Sequence, residues 1–323
     1  MSSFIVRRLA SALLLLVLIL TLTFFLIHLA PGEPARLFEN PHATAESQEE
    51  IRRLYGWDRP LHEQYGRWLG AVLTGDWGVS FTQRRPVFEL LIERLPATAL
   101  LVLTGVTLEH LLGLWMGVTA ARRPGGRFDV ITGRLALILH AVPAFVLGLL
   151  MIEWLAIRAP IFPPQHMTSV DYPSLSSWGR VLDIAHHLVL PALVLALVRF
   201  GAVVRFVRSG LLDVLGCDFI RTARAKGLPE WRVLWIHAVP NTLGPLIQRL
   251  GVSLPRLLSG TVILEVVFAW PGLGTAVYAA ILQRDYPVVL AATALSGVLV
   301  LGGSLLADVA HAWLDPRVRD HYV

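Results

Sequence analysis

Apolar residues fall into six long runs along the chain: Leu9–Ala30, Ala97–Ala120, Arg134–Ile157, His186–Val207, Leu243–Phe268 and Pro287–Trp313. Each reaches the roughly 20 residues that an α-helix needs to cross a bilayer. The pattern predicts an all-α integral membrane protein with six transmembrane helices. Polar residues collect between the runs in two long inserts, one between the first and second spans and one between the fourth and fifth. The first run is about 22 residues, too long for a secretory signal core. It is followed by Pro31-Gly32-Glu33-Pro34 rather than by a small-residue cleavage pattern, and it reads as a retained helix.

Orientation follows from the basic residues. Arg7 and Arg8 precede the first span, and Arg122, Arg123 and Arg127 lie between the second and third. Arg205, Arg208, Arg221, Arg224, Lys226 and Arg232 lie between the fourth and fifth, and Arg317 and Arg319 follow the sixth. All fall on one side, which the positive-inside rule assigns to the cytoplasm, with both termini. The opposite short loops carry Arg158, Arg180 and Arg284. The expected organisation is therefore a cytoplasmic N-terminus and first helix over 1–30, an external helical insert over 31–96, a five-helix core over 97–313 that includes a cytoplasmic segment 209–242, and a cytoplasmic tail over 314–323.

Within the external insert, Glu46–Tyr55 has acidic residues early and basic ones late, as a helix dipole favours. Tyr65, Trp68, Leu69, Val72 and Leu73 make an apolar stripe at helical spacing, and Leu90, Leu91, Arg94 and Leu95 lead into the second span. Such an insert is either a cap packed on the membrane core or a docking or gating surface.

Composition agrees with the membrane class. Hydrophobic residues make up 55% and charged residues 16%, against roughly 25% charged in a soluble domain. The net charge of +5 forms no long basic stripe, which excludes nucleic acid as a partner and fits loops beside anionic lipid. Cys217 is the single cysteine and Lys226 the single lysine. With Ala225 before it and Gly227 after it, Lys226 does not form a Gly-Lys-Ser/Thr phosphate loop, so the chain has no ATP site of its own. His186 and His187 are adjacent and point about 100° apart on a helix, which is poor metal-ligand geometry. No catalytic constellation, cofactor site or metal site is evident. Charges inside or near the spans, where they are costly, are Glu109, Glu153, Arg199, Arg249, Arg256, Glu265 and Asp308. Arg249 and Arg256 share a helix face, which makes them candidates to line a translocation pathway; interhelical pairing or snorkelling explains them as well.

The segment Asp218–Asn241 stands out as basic and polar among spans. Asp218 suits an N-cap for Phe219–Lys226, and Gly227 suits a left-handed stop. Pro229 and Glu230 then suit the first turn of a second helix carrying Trp231, Val233, Leu234, Trp235 and Ile236, with Pro240 closing it. Such a pair lies on lipid headgroups or docks a protein.

This segment resembles the cytoplasmic coupling segment of ABC-importer permeases. Its generic form is Glu-Ala-Ala, three residues, Gly, nine residues, Ile, one residue, Leu-Pro. Ala223, Gly227 and Pro240 fit, whereas Arg221, Thr222, His237 and Val239 depart. The wording from Phe219 to Leu228, with His237 and Asn241, is similar to the peptide/nickel (dipeptide/oligopeptide) subfamily, although Pro240 stands where Arg is usual. So are Leu29–Pro34, Tyr55–Leu61 with Gln64-Tyr65, Gly75–Gly78, Arg94–Thr98, Phe268–Gly274, Arg284–Val288 and Leu314–Arg317. Ala159–Pro164 departs from the usual wording of the third external loop.

The resemblance implies a permease subunit of an inner-membrane ABC importer, with no enzymatic activity of its own. Its implied partners are a second homologous permease, two cytoplasmic ATPase subunits that hold ATP and Mg, and an external solute-binding protein. Arg221, Thr222, Ala223, Arg224, Ala225, Lys226, Gly227, Leu228 and Pro240 are the implied ATPase-coupling residues. Gly227 allows a tight turn, Ala223 a close seat, and Arg221, Arg224 and Lys226 contacts with acidic groove edges. Peptide is the expected cargo. Nickel or a metal chelate is the alternative, and an ion-coupled secondary transporter a further one.

Overall fold

The computed structural model describes residues 2–29, 49, 50, 53, 56–242, 246 and 261–314, with side chains from residue 9 to residue 304. The described chain is helical: α1 (Ser2–Leu29), α2 (Leu61–Leu73), α3 (Val87–Ala121), α4 (Arg127–Ala141), α5 (Ala144–Ile152), α6 (Ser177–Leu215), α7 (Asp218–Ala225), α8 (230–242), α9 (Val262–Val267), α10 (Leu273–Gln283) and α11 (Tyr286–Leu314). Four of these helices are long and apolar enough to cross a membrane, or five if the bent pair α4–α5 is one span. The fifth expected span, 243–268, lies mostly outside the described residues, as does the expected helix Glu46–Tyr55. By contacts the chain forms two units: Met1–Ala97 with Pro271–Gly302, and Thr98–Trp270 with Gly303–Val323.

In the first unit α2 packs on α1 through aromatic rings. Phe24 is 2% exposed and meets Tyr65 and Trp68 at ring separations of 5.3 and 5.4 Å. Thr21 and Tyr65 join by a 2.6 Å hydroxyl hydrogen bond. Two members of the α2 stripe thus face α1, while Leu73 at its end stays exposed. The start of α3 packs through Val87, Leu90 and Leu91 against α10 and α11. α10 was not foreseen as an element. At 11 residues it is too short to cross, and it ends at Arg284 in the left-handed region, φ 55°.

The second unit is organised by close helix approaches. A Cβ on Gly113 would lie 2.5 Å from Val203 Cβ, and one on Gly117 2.8 Å from Val207 Cβ. Gly105 would meet Leu195 in the same way. Partner numbers rise together, so α3 and α6 run parallel. Against α4 the order reverses: Gly201 meets Ala136, the His140 ring approaches the Val198 carbonyl, and Arg208 pairs with Asp129. α4 therefore runs antiparallel to α6, as alternating spans require.

Two proline positions differ from the sequence-based boundaries, and a third breaks a predicted span. Pro96 lies inside α3 rather than before its start, and Pro191 lies inside α6, as the predicted span has it. Each lost N–H removes only one hydrogen bond, which packed membrane helices tolerate. The predicted third span is instead broken at Val142–Pro143, with a 101° bend between α4 and α5. Val142 is extended at φ −80° and ψ 126°, the conformation that a following proline favours. Pro240 does not close the second helix of the polar segment, which continues to residue 242. The wide i→i+5 turns over Val233–Ala238 precede this proline and ease the clash between its ring and the carbonyl four residues back.

Gly113→Leu should lower the thermal stability of detergent-solubilised protein by overpacking worth about 1–3 kcal/mol. Gly133→Ala, with nothing within 4 Å of the added methyl, should leave the same melting curve unchanged or raised.

Candidate coupling site

α6 is 39 residues long, or about 58 Å at 1.5 Å per residue. That is nearly twice the roughly 30 Å hydrocarbon layer, so α6 extends well beyond its apolar run, and α7 follows directly from its end. Cys217, extended at φ −74° and ψ 151°, takes the N-cap position that Asp218 was expected to fill. Asp218 instead opens α7, and its carboxylate accepts from Arg221 at 3.2 Å.

α7 has two faces. Ile220 is 0% exposed and Ala223 is buried. Both belong to one buried cluster with Val118 and Ala121 of α3, Val203, Val207 and Leu211 of α6, and Val233, Leu234 and Ala238 of α8. Ala223 therefore seats α7 on its own chain and does not face outward. The exposed face carries Phe219, Arg221, Thr222, Arg224, Ala225 and Lys226. Leu228 is half-buried against the same core, and Pro240 is exposed.

The stop after α7 is a Schellman turn. Leu228 N–H donates to the Ala223 carbonyl at 3.4 Å, and Gly227 N–H to Arg224 at 2.9 Å. Gly227 sits at φ +74°, where a side chain is strained. The turn is clamped by a bidentate pair, Arg224 Nη2 to Glu230 Oε1 at 2.5 Å and Nε to Oε2 at 3.3 Å. Arg224 thus holds the hairpin and is not a free outward cation. Its hydrogen bond holds the Glu230 carboxyl below the usual carboxylate range, and Glu230 in return raises Arg224.

Of the other sequence candidates, Glu109 and Glu265 are buried. Glu265 accepts from Thr98 Oγ1 at 2.7 Å. Glu153 pairs with Arg158 at the surface. Arg249 and Arg256, and the Asp308 side chain, lie outside the described residues. One buried carboxylate was missed. Asp285, 0% exposed between α10 and α11, accepts from Ser80 Oγ at 2.6 Å, Thr82 Oγ1 at 2.7 Å and the backbone N–H groups of Phe81 and Thr82. Four donors on one carboxylate tie the turn before α3 to the start of α11. The Arg284–Val288 wording was its only trace in the sequence.

The family model for the binding-protein-dependent transport system inner membrane component matches residues 111–320, and its N-terminal companion model matches residues 1–102. The chain belongs to this family. It is a multi-pass inner-membrane transport component, as its apolar helices require. This component is 38% identical to the oligopeptide transport system permease protein AppB of Bacillus subtilis (strain 168), over 99% of this chain and 100% of that one. It is 32% identical to the dipeptide transport system permease protein DppB of Escherichia coli (strain K12), over 99% of each. The fold is similar to that of the MetNI methionine ABC transporter in an inward-facing form, with a TM-score of 0.56 and 18% identity over 71% of this chain and 98% of that one. An amino acid ABC transporter gives 0.52 and 16% over 69% and 94%.

The clamp makes a pH prediction. Because the folded Glu230 carboxyl is depressed, its stabilising contribution is complete above the unfolded value of roughly 4.3 and is lost as pH falls through the folded value. The pair is exposed, so the contribution is below about 1 kcal/mol. Amide exchange at Gly227 and Leu228 should accelerate in that acid range beyond its intrinsic pH dependence, and Glu230→Gln should abolish the extra acceleration.

Proposed function

We propose that this chain is one permease subunit of an ATP-driven peptide importer, and that α7 receives the motion of a partner ATPase. The observation that carries this reading is the two-faced α7. Ile220 and Ala223 fix it to α3, α6 and α8 from behind, while Phe219, Arg221, Thr222 and Lys226 stand outward on a clamped turn. A helix held on one face and exposed on the other passes a push into the spans to which it is seated. Arg221 and Lys226 suit the acidic edges of a groove. Closure of the ATPase pair would open the pathway outward and product release would reset it, as a rigid-body alternation.

Orientation has the same support. Parallel α3 and α6, with antiparallel α4, gather Arg122, Arg123, Arg127 and Arg208 at the end of the helices from which α7 emerges. The positive-inside rule makes that end, both termini, segment 209–242 and tail 314–323 cytoplasmic, and insert 31–96 external. Exposed Trp231, Trp235 and Ile236 on α8 suit the headgroup layer beside it.

The remaining subunits follow from the family: a second homologous permease, two ATPases carrying ATP and Mg, and an external solute-binding protein. The oligopeptide and dipeptide relatives favour peptide over nickel or a metal chelate as cargo. Membership of a binding-protein-dependent family also sets aside the ion-coupled alternative. Arg249 and Arg256 remain the proposed pathway cations, since a guanidinium favours a peptide carboxylate.

Proteoliposomes holding the complete transporter should take up peptide only with ATP, and ionophores that collapse proton and sodium gradients should not stop it. Phe219→Asp should reduce peptide-stimulated ATP hydrolysis about tenfold while the permeases still assemble, the equivalent of roughly 1.4 kcal/mol of coupling. Normal coupled uptake by this variant would remove α7 from the coupling role.

A further inference from the structure

The first unit contains a cavity of about 520 Å³, within the range of small-ligand sites. Its body is apolar, walled by Phe24 of α1, Trp68 of α2, Trp77 and Leu290 of α11. Gln64, Arg67, Asp76, His28 and Tyr286 also line it and supply polar groups. Three of these are already engaged, His28 through Nδ1 with the Phe24 carbonyl at 2.8 Å. The Gln64 amide donates to the carbonyls of Trp57 and Arg59, and Asp76 accepts from the Gly78 N–H. Arg67 is exposed and forms no ion pair among the described residues.

Depth identifies the surroundings. The apolar part of α1, Leu9–Leu29, is 21 residues long, or about 31 Å, close to the roughly 30 Å hydrocarbon thickness. Phe24 and His28, both on the cavity wall, fall in its last two turns. Tyr286, Pro287 and Leu290 come from the first turns of α11, where the last span begins. The cavity therefore lies at the boundary between hydrocarbon and headgroups. The same turns of α1 expose Leu22, Leu26 and Leu29, so one helix presents both a lipid-facing surface and a cavity wall.

We propose that this cavity is a phospholipid site: one acyl chain lies among the aromatic walls and the phosphate meets the Arg67 guanidinium. In the orientation given above the lipid comes from the outer leaflet. An apolar chain suits walls with few unengaged polar groups, whereas a peptide backbone there would leave its amides unpaired. A guanidinium beside the apolar body matches phosphate in charge and geometry. The Asp285 carboxylate gives the site a fixed wall, because it holds Ser80–Thr82 and so places Gly78, Val79 and Phe81, which also line the cavity. The bound lipid would brace α1 and α2 against the α10–α11 turn. This site is independent of the identity of the cargo.

The test uses the complete purified transporter in detergent, with dioleoyl phosphatidylglycerol as the probe and bound lipid quantified by mass spectrometry. Ala71 lines the cavity, and Ala71→Phe fills it without touching the coupling segment. Wild type should retain a phospholipid that Ala71→Phe lacks, and added lipid should raise the melting temperature of wild type only. Arg67→Gln, an exposed change that keeps the fold, should weaken binding of the probe about tenfold, the loss of one charge-assisted contact. Equal retained lipid in all three proteins would overturn the proposal. So would full lipid retention in Ala71→Phe with a weakened response to the external binding protein, which would make the cavity a protein-docking site. Should Ala71→Phe fail to assemble, unchanged probe affinity in Arg67→Gln alone overturns it.

Discussion

The close contact of α3 with α6 is the constraint on which the second unit depends. Lipid supplies no hydrophobic force to press two apolar helices together, so association rests on packing. Gly113 and Gly117 remove the side chains that would keep the helices apart, and Val203 and Val207 occupy the space. The contact continues through Val118 and Ala121 into the platform on which Ile220 and Ala223 rest. The surface that seats α7 is thus an extension of the membrane packing. A displacement of α7 meets α3 and α6 without an intervening loop.

Much of this was legible in the sequence because it depends on local chemistry. Gly227 marked the left-handed stop, and Pro229 with Glu230 marked the following helix start. The apolar runs marked the helices, although α3 begins before Pro96 and α6 begins and ends well beyond its run. Proline was a poor guide to boundaries for a physical reason. Its cost within a helix is one hydrogen bond and a ring clash, and whether the helix continues depends on what packs around it. The chain continues through Pro96 and Pro191, widens before Pro240 and turns sharply at Pro143.

Features that depend on distant partners were not legible. Ala223 looked like a small residue kept for an outside partner, yet it is buried in one cluster with Val233 and Leu234 of its own chain. Arg224 looked like a free cation, yet Glu230, six residues away, claims it. Asp285 gave no local sign of its role, since its donors lie about 200 residues earlier in the chain. Ala223 and Arg224 thus make positioning contacts within their own chain. What remains outward on α7 is a shorter set centred on Phe219, Arg221, Thr222 and Lys226.

In the proposed function, α7 transmits force because Ile220 and Ala223 seat it on the span core. The most direct measurement is the number of peptides imported per ATP hydrolysed, in proteoliposomes containing the complete transporter, for Ile220→Ala against wild type. Removing this buried side chain leaves the outward face intact while loosening the seat by about 2–5 kcal/mol. ATP hydrolysis should continue while the ratio of transport to hydrolysis falls severalfold. An unchanged ratio in an assembled Ile220→Ala transporter would contradict this role of α7.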